Sequence, residues 1–571
     1  MKKFLLGILT GLVLAGMTSV VLVFSAMRLG ERRPSIPDGA TLVLRLDGEV
    51  PEKQPVQIPL PFLGSDDTVT VLDAWRGLRA AAKDSRIKAL ILETSRIGAG
   101  WAKMEELRGG LQAFKQSGKP LIAVVRAPKS REYYLASTAD KIYMSPEDLF
   151  DVKGLRAEVM YLKNALNKIG VEIEIEHRGK YKDAGDMFSQ TSMSPESREV
   201  IDSILDGVYG TFLDAAAKGR KKSVEEMRAL VDAGPYTARQ AAAKGLIDGL
   251  RYEDQVNGDL TTQLKQSSLK KVSFNEYIRA IGGDRTQRKR IAFVVGSGTI
   301  ARGEGSDAMA SDEAFTSGAF IKMLRRVSAD NGISGVIVRV DSPGGDAIAS
   351  DEMLREVRLL SKKKPTVISF SDTAASGGYY ISMTGDPIVS YSTTVTGSVG
   401  VIYGKVNLRG LYDKIGVQKE IIVRGSNAAI DSDYVPMTPA ARAKLREGID
   451  EIYNEFVSRV AEGRKKKAEQ IEPLAQGRAW LGAQAKANGL VDELGGLDKS
   501  IEMVKAKAGI KPEEKVDLVP YPGKRSILDQ YLRSTADNTV EAKIRELLGF
   551  DYKAFARGGM MKIMPYTLTL Q

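Results

Sequence analysis

Two side chains that carry much of enzyme chemistry are almost missing from this chain. Its 571 residues include no cysteine and a single histidine, His177. The absence of cysteine excludes thiol nucleophiles, disulfides and cysteine-ligated zinc or iron–sulfur sites. One histidine excludes multi-histidine metal sites, and a serine–histidine–acid triad would have to use His177. If the chain is a hydrolase with a covalent nucleophile, lysine is the favoured base, and we predict no metal or cofactor.

An acidic surplus is also lacking. The chain has 83 Lys and Arg against 72 Asp and Glu, a net charge of +11. It has no compact basic block interleaved with aromatic residues and no nucleic-acid motif, so nucleic-acid binding is not predicted. Attraction to an acidic membrane surface explains the charge as well.

The N-terminus carries a long run without charge, from Phe4 to Met27. At about 1.5 Å per residue, these 24 residues would reach across a hydrocarbon core of about 30 Å. The alternative is a cleaved signal peptide, but the run is long and Phe24–Ala26 makes a poor cleavage site. We therefore predict a retained transmembrane signal anchor over 1–30, with membrane lipid as a partner. Basic residues flank both ends, so charge alone leaves the orientation open.

The rest of the chain contains an internal duplication. Ile87–Ile91 recurs as Ile333–Ile337, and Lys168–Val171 recurs as Lys414–Val417, each 246 residues later. In both copies, short β-branched runs alternate with amphipathic stretches, which is typical of an α/β fold with a largely parallel sheet. The sequence predicts these regions: a connector over 31–68, a first repeat with its linker over 69–290, a second repeat over 291–520, and a C-terminal tail over 521–571.

The two copies have kept different reactive residues. Lys182 of the first copy aligns with Ala428 of the second. Ser376 of the second copy is followed by two glycines, whereas its mate Ser130 is followed by Arg131-Glu132. A duplication first doubles every residue, so this division predicts that the two repeats cooperate at one site.

Ser376 is the candidate nucleophile. It follows a predicted strand, Thr366 to Phe370, and precedes a run that is compatible with a helix. A serine at such a junction has an exposed hydroxyl near the positive end of a helix dipole. Gly377 and Gly378 would allow close approach of a substrate, and the Gly377 N–H would face a developing oxyanion.

Two further motifs of the second copy lack counterparts in the first. Asp-Ser-Pro-Gly-Gly-Asp (341–346) follows a predicted strand, and the first copy has lost the double glycine. A pure turn would be needed in both copies, so the difference favours an oxyanion site there. Thr-Gly-Ser-Val-Gly (396–400) supplies Ser398, whose hydroxyl would orient a lysine amine. The first copy has Phe150–Val152 at that place.

The candidate base lies in the segment 178–184, which offers both Lys182 and Lys180. A catalytic lysine must be neutral, so its pKa must fall from about 10.4 toward the working pH. Burial among apolar groups lowers the pKa of a lysine by several units. Tyr181 and Ala184 flank Lys182, and the spacing alone leaves both lysines open.

These motifs, together with Tyr-Lys-x-Ala (181–184), the duplication and the N-terminal run, resemble the signal peptide peptidase A (protease IV) family in its long two-repeat bacterial form. The resemblance covers nearly the whole chain and selects Lys182 over Lys180. One departure is visible. The family often has Ala-Val-Glu-Pro-Phe beginning two residues after the lysine, where this chain has Ala-Gly-Asp-Met-Phe (184–188).

The resemblance implies a tandem pair of crotonase- or ClpP-like α/β domains behind the transmembrane helix. It implies a serine–lysine dyad of Ser376 and Lys182, with Ser398 orienting the lysine and Gly344 and Gly377 donating to the oxyanion. It also implies an endopeptidase that degrades cleaved signal peptides and other unstructured hydrophobic peptides. The expected setting is a homotetramer on the periplasmic side of the bacterial cytoplasmic membrane, with the N-terminus inside.

Other functions remain open from sequence. A crotonase-like enzyme acting on an acyl thioester would use the same double-glycine site, and a membrane scaffold would need no catalysis. The run Ser361–Lys364 fits the Ser-x-x-Lys of penicillin-binding proteins, but no Lys-Thr-Gly accompanies it. Gly296–Ala301 resembles a dinucleotide fingerprint, but a polar, glycine-containing stretch follows it instead of a helix pattern.

Overall fold

The computed structural model describes residues 34–53, 68–282, 288–303, 315–521 and 560–564. The predicted anchor and most of the predicted tail lie outside the described residues. Within the described part, none of the helices combines the length and apolar character that crossing a bilayer requires.

The secondary structure alternates between strands and helices, as an α/β fold requires. The strands are β1 Ala40–Gly48, β2 Ile87–Ile97, β3 Leu121–Val125, β4 Lys141–Met144, β5 Leu149–Phe150, β6 Glu172–Arg178, β7 Tyr236–Thr237, β8 Gly249–Leu250, β9 Lys270–Ser273, β10 Lys289–Ser297, β11 Ile300–Ala301, β12 Phe315–Thr316, β13 Ile333–Ser342, β14 Gly344–Asp346, β15 Thr366–Ala375, β16 Ile388–Ser390, β17 Val395–Gly397, β18 Val401–Asn407, β19 Ala479–Leu481, β20 Glu493–Leu494, β21 Val516–Tyr521 and β22 Met560–Ile563. The helices span Val71–Lys83, Trp101–Lys115, Ser130–Ala136, Lys163–Ile169, Asp186–Ser189, Pro195–Arg220, Val224–Asp232, Ala238–Ala243, Glu253–Gln263, Phe274–Ile281, Ser317–Ala329, Ala347–Ser361, Gly377–Tyr380, Arg409–Ile415, Pro439–Arg464, Ala468–Ile471, Gly482–Asn488 and Leu497–Lys507, with a 3₁₀ turn at Glu472–Leu474.

Each repeat is built around its own sheet. The first has the strand order β8-β4-β3-β2-β1-β9 and is parallel throughout. The second has the order β19-β17-β15-β13-β10-β21, parallel except where β17 meets β19. Because β1 begins at Ala40, the first sheet includes part of the predicted connector. The α/β fold in two repeats is therefore confirmed.

Hydrophobic burial explains these sheets. The central strands β2 and β13 each contain a buried apolar run, Ala89–Leu92 and Val336–Val338, which is typical of parallel strands covered on both faces. Helices cover the faces of the sheets. Ser194 and Thr438 cap the two 26-residue helices, each with Pro at the first helical position.

A third sheet, of six strands, joins the repeats. Its order is β12-β11-β14-β22-β18-β6. Strand β6 comes from the first repeat and pairs antiparallel with β18 of the second over seven residues, from Arg178 opposite Val401 to Glu172 opposite Asn407. This pairing fixes the chain that leaves β6, and that chain carries Lys182.

Charged contacts also hold the two repeats together. Lys103 of the first repeat lies 2.8 Å from Asp341 and 3.3 Å from Asp372 of the second. The N–H groups of Gly100 and Lys103 also donate to Asp372, at 3.0 and 2.9 Å. Asp341, the first residue of the predicted Asp-Ser-Pro-Gly-Gly motif, therefore helps to hold the two repeats together.

Candidate active site

Ser376 stands at the end of β15, immediately before a single helical turn, Gly377–Tyr380. The strand continues to Ala375, five residues beyond the predicted end. The backbone φ of Ser376 is +53°, a strained value for a residue other than glycine, and such strain is typical of functional sites. Its N–H donates to the Gly397 carbonyl at 2.8 Å, which helps to hold the strained turn.

The loop that carries Lys182 is held by the second repeat. Tyr181 N–H donates to the Gln476 carbonyl at 2.8 Å. Gly477 has a φ of +79°, and a Cβ there would lie 2.5 Å from the Lys182 nitrogen. A close backbone approach between the repeats therefore sets the position of the lysine, and it depends on a glycine.

The structure brings three of the predicted site residues together. Lys182 Nζ lies 2.9 Å from Ser376 Oγ, 3.0 Å from Ser398 Oγ and 3.0 Å from the Ser398 carbonyl oxygen. All three residues have an exposed fraction of 0%. The amine of the first repeat thus meets the hydroxyl of the second within one chain and away from bulk water.

Burial sets the protonation of this lysine. Loss of solvent lowers the pKa of Lys182 to about 7, against a weaker opposing effect of the Asp183 charge. Asp183 belongs to the segment that follows the lysine, and burial raises the pKa of its carboxyl to about 6. The Ser197 hydroxyl donates to that carboxylate. A substantial fraction of Lys182 is therefore neutral near pH 7.

The two competing candidates are exposed to solvent, unlike Lys182. Lys180 is exposed, and its Nζ sits 4.5 Å from the centroid of the Tyr181 ring. His177 is exposed on β6, and its Nδ1 lies 3.2 Å from the Gly179 carbonyl oxygen. Neither residue is placed to act on Ser376 as Lys182 is.

The predicted oxyanion glycines are neighbours. A Cβ on Gly344 would lie 2.5 Å from the Gly377 nitrogen. Gly344 has a φ of +98° and Gly345 a φ of +153°, which both favour glycine. The Gly344 N–H donates to Ser342 Oγ at 3.2 Å, so the neighbouring Gly345 is a further candidate donor that the sequence reasoning passed over.

The sequence reasoning also missed the structural support of the site. The turn 476–478 contacts the lysine loop and also accepts the Ser398 N–H at the Arg478 carbonyl, 2.7 Å away. A single glycine at 477 does not by itself point to an active site. Lys103 is a second omission, and a single lysine near the start of a helix carries no sequence signal.

Comparisons with known proteins identify the family of this chain. The model of "Peptidase family S49" matches residues 113–267 and 358–511, one stretch in each repeat. The chain is 34% identical over 446 residues to "Serine protease SPPA, chloroplastic" of Arabidopsis thaliana, covering 77% of this chain and 66% of that protein. It is 31% identical over 509 residues to "Protease 4" of Haemophilus influenzae, covering 84% and 81%.

Among solved structures, a point mutant of ClpP1 from Listeria monocytogenes aligns with 36% of this chain and 91% of its own, at 16% identity and a TM-score of 0.23. The family assignment rests on the other matches, which extend over both repeats. The chain belongs to peptidase family S49 and is a serine peptidase of that family.

Proposed function

We propose that this peptidase uses a serine–lysine dyad, with Ser376 as nucleophile and Lys182 as general base. The observation that carries the proposal is the 2.9 Å contact between Nζ and Oγ in a pocket closed to solvent. A neutral amine has two N–H groups and one lone pair. The two contacts to Ser398 use the N–H groups, which leaves the lone pair to accept the Ser376 hydroxyl proton.

The reaction follows from this geometry. Lys182 takes the proton of Ser376 as Oγ attacks the scissile carbonyl carbon. N–H groups of Gly377 and of the double-glycine turn, where Gly344 is the predicted donor, stabilise the oxyanion. The carbon–nitrogen bond breaks as Lys182 returns the proton to the leaving amine. Lys182 then activates water, which releases the acyl group from Ser376.

Covalent labelling tests the dyad directly. A fluorophosphonate or β-lactone probe should form one adduct, located on Ser376 by peptide mass spectrometry. The adduct should be absent from Ser376→Ala and strongly reduced in Lys182→Met. Turnover of acyl thioesters with no turnover of peptides would instead favour the crotonase-like alternative.

We also propose that the substrates are cleaved signal peptides and similar unstructured hydrophobic peptides, and that the enzyme is anchored in the bacterial cytoplasmic membrane with its repeats on the periplasmic side. The uncharged run Phe4–Met27 supports the anchor. Two measurements test this pair of proposals. The full chain should sediment with membranes and be digested by protease added to spheroplasts, and it should cleave a synthetic signal peptide while sparing folded proteins.

A homotetramer completes the proposal, and the repeat symmetry supports assembly. Inside the chain, β6 of the first repeat pairs with β18 of the second. The 246-residue frame maps β18 onto 155–161 and β6 onto 418–424. Both segments are described, and neither is assigned to a strand. In the second of them, Ile422 is 85% exposed.

A head-to-tail pairing of 418–424 of one copy with 155–161 of the next would repeat the internal interface. Such heterologous contacts generate a ring where the rotation closes. Ile422→Asp should therefore lower the mass measured by light scattering toward that of one chain. Leu359→Asp, a change at another exposed apolar residue, is the control that should leave the mass unchanged. An unchanged mass for Ile422→Asp would contradict the pairing.

A further inference from the structure

The side chain of Arg478 reaches from the second repeat to the first. It is 15% exposed, and its guanidinium carbon lies over two aromatic rings, 4.4 Å from the centroid of Trp480 and 5.0 Å from that of Tyr181. Nη1 donates to the Tyr181 hydroxyl oxygen at 3.2 Å and also to the carboxylate of Glu199. Tyr181 and Glu199 belong to the first repeat, so this one side chain joins the two repeats.

The two partners of Arg478 also contact each other. The Tyr181 hydroxyl donates to the second carboxylate oxygen of Glu199 at 3.0 Å. The hydrogen bonds from Arg478 and Tyr181 lower the pKa of the Glu199 carboxyl, which keeps it ionised at neutral pH. Lys180 adds a second positive charge, with its Nζ 4.5 Å from the Tyr181 centroid. Arg478, Tyr181 and Glu199 thus form a clamp between the repeats.

The backbone next to this clamp contacts the surroundings of the base. The Arg478 carbonyl accepts the Ser398 N–H at 2.7 Å, and the Gln476 carbonyl accepts the Tyr181 N–H at 2.8 Å. Tyr181 directly precedes Lys182 in the chain, and the Ser398 hydroxyl lies 3.0 Å from the Lys182 amine. The guanidinium therefore holds, at its ring, the same residue whose backbone the turn already binds.

The duplication divides the clamp between the copies as it divides the dyad. The two 26-residue helices begin 244 residues apart, at 195 and 439. In that frame Glu199 aligns with Ala443. Arg478 aligns with Gly234. A charge pair that served one repeat alone would be expected within either copy, so the division connects the pair to the junction that holds the dyad.

We infer that Arg478 is a positioning residue for the base, Lys182. By holding Tyr181 and Glu199, its guanidinium keeps the lysine loop against the second repeat and keeps water from the amine. The inference rests on the proposed dyad and deepens it. Without the clamp the loop would loosen, water would reach Nζ, and the pKa of Lys182 would return toward its ordinary value. The amine would then be protonated at neutral pH and could not take the serine proton.

Peptide kinetics of Arg478→Ala test this role. kcat should fall about 10- to 100-fold with little change in KM, because the guanidinium positions the base and has no part in binding the peptide. The acid limb of the pH profile should move upward by about one pH unit, which a smaller amount of folded enzyme would not cause. Arg478→Lys should behave like the alanine variant, since an ammonium cannot stack on Tyr181 and bind Glu199 together. An unchanged kcat with an unmoved limb would overturn the inference.

Chemical rescue separates positioning from misfolding. Guanidinium chloride, well below denaturing concentration, should restore part of kcat to Arg478→Ala, because the free cation can take the same place over Tyr181. Arg228→Ala is the matched control, since Arg228 also lies over a tyrosine ring, 5.1 Å from the centroid of Tyr209. Its kinetics should match the wild type with and without guanidinium. Equal activity of Arg478→Ala in guanidinium chloride and in sodium chloride would assign the loss to folding and overturn the inference.

A milder variant applies where Arg478→Ala does not fold. Tyr181→Phe keeps the ring and removes only the hydroxyl that Arg478 and Glu199 share. The acid limb should move in the same direction by a smaller amount. A wild-type kcat and limb in Tyr181→Phe would count against the clamp. Absence of peptide hydrolysis and of Ser376 labelling in the wild type would instead count against the proposed function.

Discussion

The turn that carries the aligned serine has a different backbone conformation in each repeat. In the second, β15 is followed by Ser376, which has a positive φ, and by two glycines. In the first, the aligned Ser130 is the first residue of an ordinary helix, and its hydroxyl donates to the Gly154 carbonyl at 2.9 Å. One serine is held in strain beside an amine, and the other is a relaxed structural residue.

The space beside each serine differs as well. Glu132 of the first repeat aligns with Gly378 of the second. Its carboxylate accepts the N–H groups of Ile97 at 2.7 Å and Lys129 at 3.0 Å. The first copy therefore satisfies these donors with its own side chain, whereas the second has a glycine at the aligned position.

In the loop that carries the lysine, it is the first repeat that has the reactive residue. Lys182 is fully buried against the second repeat, while the aligned Ala428 is exposed. A lysine at 428 would stay solvated and charged, so only the copy of the loop that reaches the other repeat gains from an amine. Burial therefore distinguishes Lys182 from its counterpart at 428, whereas Ser376 and Ser130 are both buried.

Among the substitutions that test this comparison, the largest difference in activity is expected between the two aligned serines. Ser376→Ala should lower kcat/KM for a fluorogenic peptide by roughly 10⁴- to 10⁶-fold, because the nucleophile is lost. Ser130→Ala is the matched control and should change the rate less than twofold. Hydrolysis at the wild-type rate by Ser376→Ala would refute the dyad.

A nearly equal loss is expected at the base. Lys182→Met keeps the length of the side chain without the amine, and Lys182→Arg keeps a charge that cannot be removed near neutral pH. Both should reduce kcat by more than about 10³-fold, with folding checked by circular dichroism. Lys180→Ala should retain activity, and loss there would reopen the choice of lysine.

The pH dependence of activity also tests the role of Lys182 as the base. Burial lowers the pKa of Lys182 to about 7, and only the neutral amine accepts the serine proton. Activity should therefore rise with pH through about 7 and be lost below it, as Lys182 becomes protonated. His177→Ala should keep this rising limb in kcat/KM. A limb that disappears in His177→Ala would assign the titration to the histidine.

A smaller loss is expected at Ser398. Its hydroxyl lies 3.0 Å from Lys182 Nζ, and its carbonyl is at the same distance. Ser398→Ala removes one of the two contacts that orient the amine, so kcat should fall about 10- to 100-fold with little change in KM. Ser398→Thr, which restores a hydroxyl, should recover part of the rate. Unchanged kcat in Ser398→Ala would remove the orienting role.

The smallest effect on catalysis is expected at Glu132 of the first repeat. Glu132→Gln replaces charge-assisted hydrogen bonds with neutral ones and should lower the free energy of unfolding by about 1 to 3 kcal/mol. Peptide hydrolysis should stay within twofold of the wild type. A large loss of activity would show that the first copy's pocket takes part in the reaction.

Much of the site could be predicted because its residues sit in local patterns. Ser376, Ser398 and the glycines near 344 and 377 each follow a strand in a recognisable motif, and Lys182 stands out once the copies are aligned. The turn at 476–478 and the strand β22 could not be predicted. Each acts on residues far away in the chain, and neither has a periodicity or motif of its own that points to the site.

The sequence by itself determined the available chemistry. The absence of cysteine and the single histidine favoured lysine as the base of a hydrolase, and the duplication predicted that the two repeats cooperate at one site. The tertiary structure alone decided that the halves meet at 2.9 Å, that water is excluded and that the amine loses much of its charge. Packing between the repeats sets both the distance between Lys182 and Ser376 and the solvation of the amine. These residues are nearly two hundred positions apart in the chain, so no local interaction fixes the distance or the solvation.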